Sequence, residues 1–317
     1  MRLGVVIKIL VVGSSGLVGS SVSSVLEKSK NNFEIIKSTR KDTDLFSFEE
    51  TQKLIQNNMP DVLVIAAAKV GGIIANNTKR VEFLTENLKI NLNLLEACSP
   101  YKNIKIINLG SSCIYPLNAN NPIKEDSYMT GLLEPTNSPY AMAKLTAIEL
   151  GRSLGIQKGH KVVNLMPTNL YGPNDNFSDK YSHVIPGLIN RMHEAKLKSY
   201  NELEIWGSGK PLREFLYVDD LAKAIEFVIL NNVETDLLNI GSGEEVSIAE
   251  LANTIKSVVD YKGDLVFNTN KPDGNPRKLL DSSLINKLGW KSETSLRQGL
   301  MATYSWYKDN YTLLRRD

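Results

Sequence analysis

Three glycines at three-residue spacing, Gly13, Gly16 and Gly19, constrain this chain more than any other feature. They follow an apolar run, Ile7 to Val12, and open an amphipathic stretch from about Gly16. A strand that ends in such a loop and feeds straight into a helix begins a βαβ unit. Glycines let the backbone approach a pyrophosphate closely. The helix N-terminus adds amide donors and the positive end of its dipole. The G-x-x-G-x-x-G spacing is one residue wider at its start than the G-x-G-x-x-G of many dinucleotide sites, and the physics is shared. Gly13, Ser14, Ser15, Gly16, Leu17, Val18 and Gly19 therefore form a candidate dinucleotide loop. The competing reading is a plain tight turn.

Short apolar runs alternate with longer amphipathic ones through the first half of the chain. Strands are expected at residues 7–12, 34–36, 62–66, 104–109 and 162–166. Helices are expected from Gly16, over Phe48 to Asn57, and through Leu84, Leu88, Leu92 and Leu95. A further helix should open with Ser138 as N-cap and Pro139 in the first turn. This alternation predicts an α/β fold with an N-terminal Rossmann-type, doubly wound parallel sheet. After Pro167, loops rich in Asn, Pro and Gly separate shorter elements, which predicts a smaller C-terminal α+β substrate domain. The run Phe215 to Asp220 and the helix after it should return to the first domain. The expected division is 1–168 plus about 214–243 for the cofactor, and 169–213 plus 244–317 for the substrate.

Several function classes drop out. With 37 Lys and Arg against 35 Asp and Glu, the net charge is +2, too small for a broad nucleic-acid-binding field. No apolar run reaches the roughly 18–20 residues that cross a bilayer. Lys8 interrupts the first apolar run and no small-residue cleavage site follows, so a strand is expected there rather than a secretory signal. Cys98 and Cys113 are too few for a disulfide framework and have no metal-ligand spacing. A cytoplasmic protein without a metal is the expectation.

The fourth expected strand ends in Leu109, Gly110, Ser111, Ser112 and Cys113. Farther on, Tyr140 and Lys144 stand at i and i+4, on one helix face. An ammonium beside a phenol should lower its pKa from about 10 and make it a usable proton donor. Ser111 could hold the same carbonyl oxygen for hydride attack. Tyr101/Lys105 and Tyr304/Lys308 share the spacing but lack a strand-end serine, so they read as surface or packing residues. His160 and His193 sit in no motif and read as surface residues. The second strand selects the cofactor. An NAD site expects a carboxylate about 20 residues past the loop. Here Thr39-Arg40 stands there instead, and Arg40 could clamp a 2′-phosphate, which favours NADP(H). The alternative is a solvated surface arginine.

Taken together, these motifs resemble the extended short-chain dehydrogenase/reductases, which act on nucleotide sugars. Further segments are similar to the GDP-L-fucose synthase family: Ala66 to Ile73 with Ala75 to Thr78, Gly110 to Pro116, Glu134 to Asn137, Pro167 to Pro173, Ser182 to Pro186, Trp206 to Gly209, and Arg213 to Leu216. The resemblance covers nearly the whole chain. It implies C3/C5 epimerisation and NADPH-dependent C4 reduction of GDP-4-keto-6-deoxy-D-mannose. The reduction falls to Tyr140, Lys144 and Ser111, and the epimerisation to Cys113 as base and His183 as acid. The resemblance also implies nicotinamide contacts at Pro167, Thr168, Asn169 and Leu170, with His183 alongside. Substrate contacts would be Arg191, Trp206, Arg213 and Asp273. Arg191 could instead be a helix-surface charge and Trp206 a core anchor. Ser15 stands where some members carry an arginine, which leaves Arg40 more alone. A homodimer is implied through helices near Glu86 to Cys98 and Pro139 to Leu154. The same scaffold would also suit a related deoxyheptose or colitose-type enzyme, or a non-catalytic nucleotide-binding protein. Retained Cys113 and His183 favour epimerisation over the former, and intact Ser111, Tyr140 and Lys144 argue against the latter.

Overall fold

A computed structural model describes residues 6–179, 181–271 and 273–314; Met1 to Val5 of the expected first domain lie outside it. The first half runs β1 (Ile7–Val12), α1 (Leu17–Lys28), β2 (Phe33–Ser38), α2 (Phe48–Asn58), β3 (Val62–Ile65), α3 (Ile73–Thr78), α4 (Arg80–Cys98), β4 (Lys105–Leu109), α5 (Ser138–Lys158) and β5 (Val162–Pro167). The second half runs β6 (Asn169–Tyr171), α6 (Val184–Leu197), β7 (Glu202–Trp206), β8 (Leu212–Tyr217), α7 (Val218–Leu230), β9 (Leu237–Ile240), β10 (Glu245–Ser247), α8 (Ile248–Val259), β11 (Asp264–Asn268), β12 (Arg277–Lys278), α9 (Ser283–Leu288) and α10 (Leu296–Leu314).

The large sheet has the order β2-β1-β3-β4-β5-β9, and every pair in it is parallel. Its inner strands are buried on both faces, so β1 and β3 read as largely apolar runs, while the edge strand β2 exposes Glu34 and Lys37. Ile9 and Val11 pack with residues of α1 and α7 on one face. Leu10 and Val12, pointing the other way, pack with residues of α2, α4 and α5. Each such side chain contributes about 1.5–3 kcal/mol by leaving water. The strand order reverses between β1 and β3, where a doubly wound sheet opens its ligand crevice. The fold class is the expected one.

Helix α5 begins one residue earlier than the sequence suggests. Asn137 is its N-cap and Ser138 its first helical residue, with Pro139 in the first turn. The reason lies outside the helix. The Glu134 carboxylate accepts from the amides of Thr136 and Asn137 at 3.1 Å each, and this fixes the turn before the helix.

The second lobe is built on β8, which pairs with β6, β10 and β12; β7 and β11 form a separate pair. Helices α6, α8 and α10 supply its core, with Ile189, Leu251, Ile255, Leu300 and Tyr307 all within 1 % of full burial. The chain crosses between lobes more than once. Val218 opens α7, whose Leu221 and Ile225 join the large-sheet core, and β9 then adds to the edge beside β5. Ile285 and Trp290 return to that same core.

Candidate active site

The glycine loop is shaped by contacts that exclude side chains. Gly13 has φ +79°, and a Cβ on it would stand 2.6 Å from the Ala67 Cα. A Cβ on Gly19 would stand 2.2 Å from the Gly13 carbonyl oxygen. The loop is tied to the end of β2: the amides of Gly13 and Ser14 donate to the Ser38 carbonyl at 2.9 and 3.1 Å, and the Ser14 hydroxyl donates to it at 3.0 Å. Gly16 caps α1, while Ser15 is exposed and Leu17 and Val18 are half-buried. Arg40 lies just past β2, exposed and without a hydrogen-bond or ion-pair partner among the described residues. The nearby Asp42 carboxylate is turned onto Thr39, accepting from its amide at 2.8 Å and its hydroxyl at 2.7 Å. A free cation and an occupied carboxylate beside a glycine loop fit an anionic adenosine phosphate.

At the C-terminal end of β4 the catalytic candidates converge. Gly110 turns the chain there and its amide donates to the Leu165 carbonyl at 2.9 Å. A short 3₁₀ turn follows, with Ser112 buried, and the Ser111 hydroxyl accepts from the Cys113 amide at 3.2 Å. Ser111 also hydrogen-bonds the Tyr140 phenol, and the Cys113 thiol stands close enough to act on that phenol electrostatically. Lys144 is one turn along α5, only 2 % exposed. It donates to the Leu109 carbonyl at 2.7 Å and lies 5.8 Å from the Tyr140 ring centroid.

The electrostatics differ from the sequence expectation. Tyr140 is pushed above its ordinary pKa, first by burial and then by the Cys113 thiol, with the Ser111 hydrogen bond opposing. Lys144 is not what sets it, because the ammonium is directed at the Leu109 carbonyl. Burial pushes Lys144 itself down to about 8. Protein without water around an ammonium is the simple cause.

His183 is the N-cap of α6. It keeps access to water while protein encloses it on the other sides, and this desolvation pushes its pKa below the ordinary value. Pro167 to Leu170 lies at the end of β5 and in β6. Thr168 is buried, with its amide donating to the Ile240 carbonyl at 3.0 Å. The Thr168 hydroxyl and the Asn169 amide group both donate to the Glu214 carbonyl, at 3.2 and 2.8 Å.

The family-implied substrate residues sit in the second lobe. Arg213 is desolvated, which lowers its pKa, and Asp273 opposes that shift. Asp273 also accepts from the Ser208 amide at 2.8 Å and hydroxyl at 2.7 Å, so it shapes the Gly207 to Gly209 loop. Arg191 lines a cavity of about 370 Å³ with Asp179, Tyr200 and Leu203, and donates to the Glu204 carbonyl. Burial lowers its pKa too. Trp206 ends β7 and is 53 % exposed, with the Lys271 ammonium 5.4 Å over its ring, so it is no core anchor. Both guanidiniums are half-buried, and partial loss of water around a cation leaves it able to pair with an anion.

Two surface assignments are corrected. His160 is 6 % exposed, its Nε2 3.1 Å from the Ser99 carbonyl oxygen, because the α5–β5 turn folds onto the end of α4. His193 packs among Tyr304, Tyr307 and Tyr311, with Nδ1 3.0 Å from the Tyr304 hydroxyl. Cys98 is fully buried and its thiol is pushed up to about 12, as an inert core residue should be. Glu214 escaped the sequence reading. Its side chain is 0 % exposed, and its carboxylate accepts from the amides of Gly243 at 2.8 Å and Leu280 at 3.1 Å. A carboxylate inside the apolar strand Leu212–Tyr217 was the available signal.

A strand-end serine bonded to a tyrosine, with a buried lysine one helical turn on and a glycine loop at the sheet's switch point, defines a short-chain dehydrogenase/reductase. The family model described as the NAD dependent epimerase/dehydratase family matches residues 9–241. A "Probable GDP-L-fucose synthase 1" of Oryza sativa subsp. japonica is 45% identical over 96% of this chain and 92% of that protein. The GDP-L-fucose synthase of Escherichia coli (strain K12) is 43% identical over 97% of this chain and 98% of that protein. The solved GDP-L-fucose synthetase of Naegleria fowleri bound to NADP superposes with a TM-score of 0.88 at 29% identity, covering 96% of this chain and 95% of that one. The chain belongs to the NAD dependent epimerase/dehydratase family and, within it, to the GDP-L-fucose synthases.

Proposed function

We propose that this chain converts GDP-4-keto-6-deoxy-D-mannose to GDP-L-fucose by epimerising C3 and C5 and then reducing the C4 ketone with NADPH. The observation that carries this reading is the meeting of Ser111, Tyr140 and Cys113 at one point. Two hydroxyls hold the C4 oxygen, and a thiol stands beside them. Gripping that oxygen stabilises the enolate formed when an adjacent C–H bond loses its proton. Cys113, as thiolate, takes the proton from C3 or C5 on one face. His183, as imidazolium, returns a proton to the other face, which inverts the centre. Bound NADPH supplies the hydride for C4. Tyr140 gives its phenolic proton to the carbonyl oxygen, and Lys144, held on the Leu109 carbonyl 5.8 Å from the Tyr140 ring centroid, completes the set.

Cofactor residues in this reading are Gly13 to Gly19, Arg40, Leu109 to Ser112, Lys144, Pro167 to Leu170 and His183. Arg191, Trp206, Arg213 and Asp273 face the GDP-sugar, with the two desolvated guanidiniums matched to its diphosphate. The cofactor domain is taken as 1–168 plus about 214–243, and the substrate domain as the remainder. We also place the protein in the cytoplasm as a homodimer. Val81, Leu92, Met142 and Ile156 on α4 and α5 are exposed apolar residues that a second copy would cover. Sedimentation at micromolar concentration reads that state directly. No described helix is long and apolar enough to cross a membrane.

The test is product analysis in deuterated water with GDP-4-keto-6-deoxy-D-mannose and NADPH. GDP-fucose deuterated at C3 and C5 is expected. Reduction without that label would remove epimerisation. Absence of NADPH oxidation with any 4-keto GDP-sugar would leave only a nucleotide-binding role.

A further inference from the structure

The segment that carries His183 is held from the opposite lobe. Between β3 and α3 the chain runs through Gly71 and Gly72, and the Gly72 amide donates to the Tyr181 carbonyl at 2.9 Å. Gly72 has φ −67°, which any residue adopts, so its identity is not a matter of backbone freedom. Space is what matters. A Cβ on Gly72 would stand 2.4 Å from the Ser182 carbonyl oxygen, a backbone atom next to His183.

Both sides of this contact are braced. On the cofactor side, buried Asn76 donates through Nδ2 to the carbonyls of Gly71 at 2.6 Å and Gly72 at 3.1 Å. The Lys79 ammonium lies 4.7 Å over the Tyr181 ring. On the other side, the Gly187 amide donates to the His183 carbonyl at 3.0 Å. The same loop also reaches the reduction site. Phe83 would be 3.3 Å from a Cβ on Gly71, and its ring meets the Tyr140 ring edge-on at 6.4 Å. One short loop is thus in register with both the tyrosine and the histidine.

We propose that Gly72 is a positioning residue for epimerisation, setting where the His183 imidazole stands relative to Cys113. The proposal rests on the reading of Cys113 and His183 as the base–acid couple. Inversion needs two residues on opposite faces of the enolate. Removal and return of a proton by one residue needs only Cys113. A displaced His183 therefore leaves exchange without inversion. Cys113 takes the substrate proton, its thiol exchanges that proton for deuterium from solvent, and the deuteron returns to the same face.

The experiment incubates GDP-4-keto-6-deoxy-D-mannose with enzyme and NADP⁺ in deuterated water, so that no hydride is transferred. Proton NMR reads deuterium exchange and inversion at C3 and C5 separately. Gly72→Ala is expected to lower inversion by roughly tenfold or more while exchange stays within about threefold, since small misplacements of a reacting group have effects of that size. Asn76→Ala loosens the loop without adding volume at Ser182 and should show the same split to a lesser degree, which covers the case in which Gly72→Ala does not fold. His183→Gln is the reference for exchange without inversion. If both loop variants lose exchange and inversion in parallel, or lose neither, Gly72 does not position the acid. If His183→Gln still inverts normally, the assignment of His183 itself falls, and that result is separate from the first.

Discussion

Replacing Lys144 by methionine should abolish reduction without weakening the fold. Lys144 is 2 % exposed and burial pushes its pKa from 10.5 down to about 8. At about 1.36 kcal/mol per pKa unit, the fold holds the ammonium about 3 kcal/mol less well than the neutral amine. Methionine removes that penalty and fills a similar volume. It also leaves the Leu109 carbonyl without its 2.7 Å donor, which costs about 1–3 kcal/mol. At pH 7, where about nine-tenths of Lys144 is charged, the variant should be as stable as the parent or more so, by up to about 2 kcal/mol. The sign with pH follows from linkage. The folded pKa lies below the unfolded one, so between about 8 and 10.5 the unfolded chain binds more protons and the parent gains stability as pH rises. The variant's advantage should therefore shrink and reverse above pH 10. Urea unfolding of both proteins at pH 7 and pH 10.5 measures this. A variant less stable than the parent by more than 1 kcal/mol at pH 7, or an unchanged gap at the two pH values, would refute the reasoning. The ammonium is then retained for chemistry at the expense of stability.

Two other predictions follow from single side chains. Arg40→Ala should raise the KM for NADPH by roughly tenfold or more and leave that for NADH nearly unchanged, given about 1.5–3 kcal/mol for hydrogen bonds to a charged group; an equal change for both would sink the 2′-phosphate assignment. Glu214→Gln turns a donor toward the Gly243 or Leu280 amide that the carboxylate now accepts, so chemical denaturation should show a loss of about 1–3 kcal/mol. An unchanged midpoint would mean that the carboxylate does not tie β8 to these loops.

Much of this protein is legible along the chain because its signals are local. A strand, a glycine loop and a helix are contiguous from Ile7 to Lys28, and their order needs no distant contact to be recognised. Ser111 and Cys113 share one turn, and Tyr140 and Lys144 share one helix face. The failures are also instructive. The N-cap of α5 moved to Asn137 because Glu134 fixes the preceding turn. His160 and His193 looked like surface residues because no motif surrounds them, and the parts that cover them, the end of α4 and helix α10, are distant in sequence.

The sequence by itself determined the parallel α/β sheet, the dinucleotide loop and the identity of the Ser–Tyr–Lys set, since short-range spacing and apolar periodicity encode them. Tertiary structure alone decided the electrostatics and the register between lobes. Burial raised Tyr140 and lowered Lys144, against the expectation drawn from their spacing, because desolvation depends on everything packed around a group. The joining of Gly72 to Tyr181, with His183 two residues farther on, links positions more than 100 residues apart. No local pattern carries that contact, because only the folding of the second lobe onto the first brings the two backbones together.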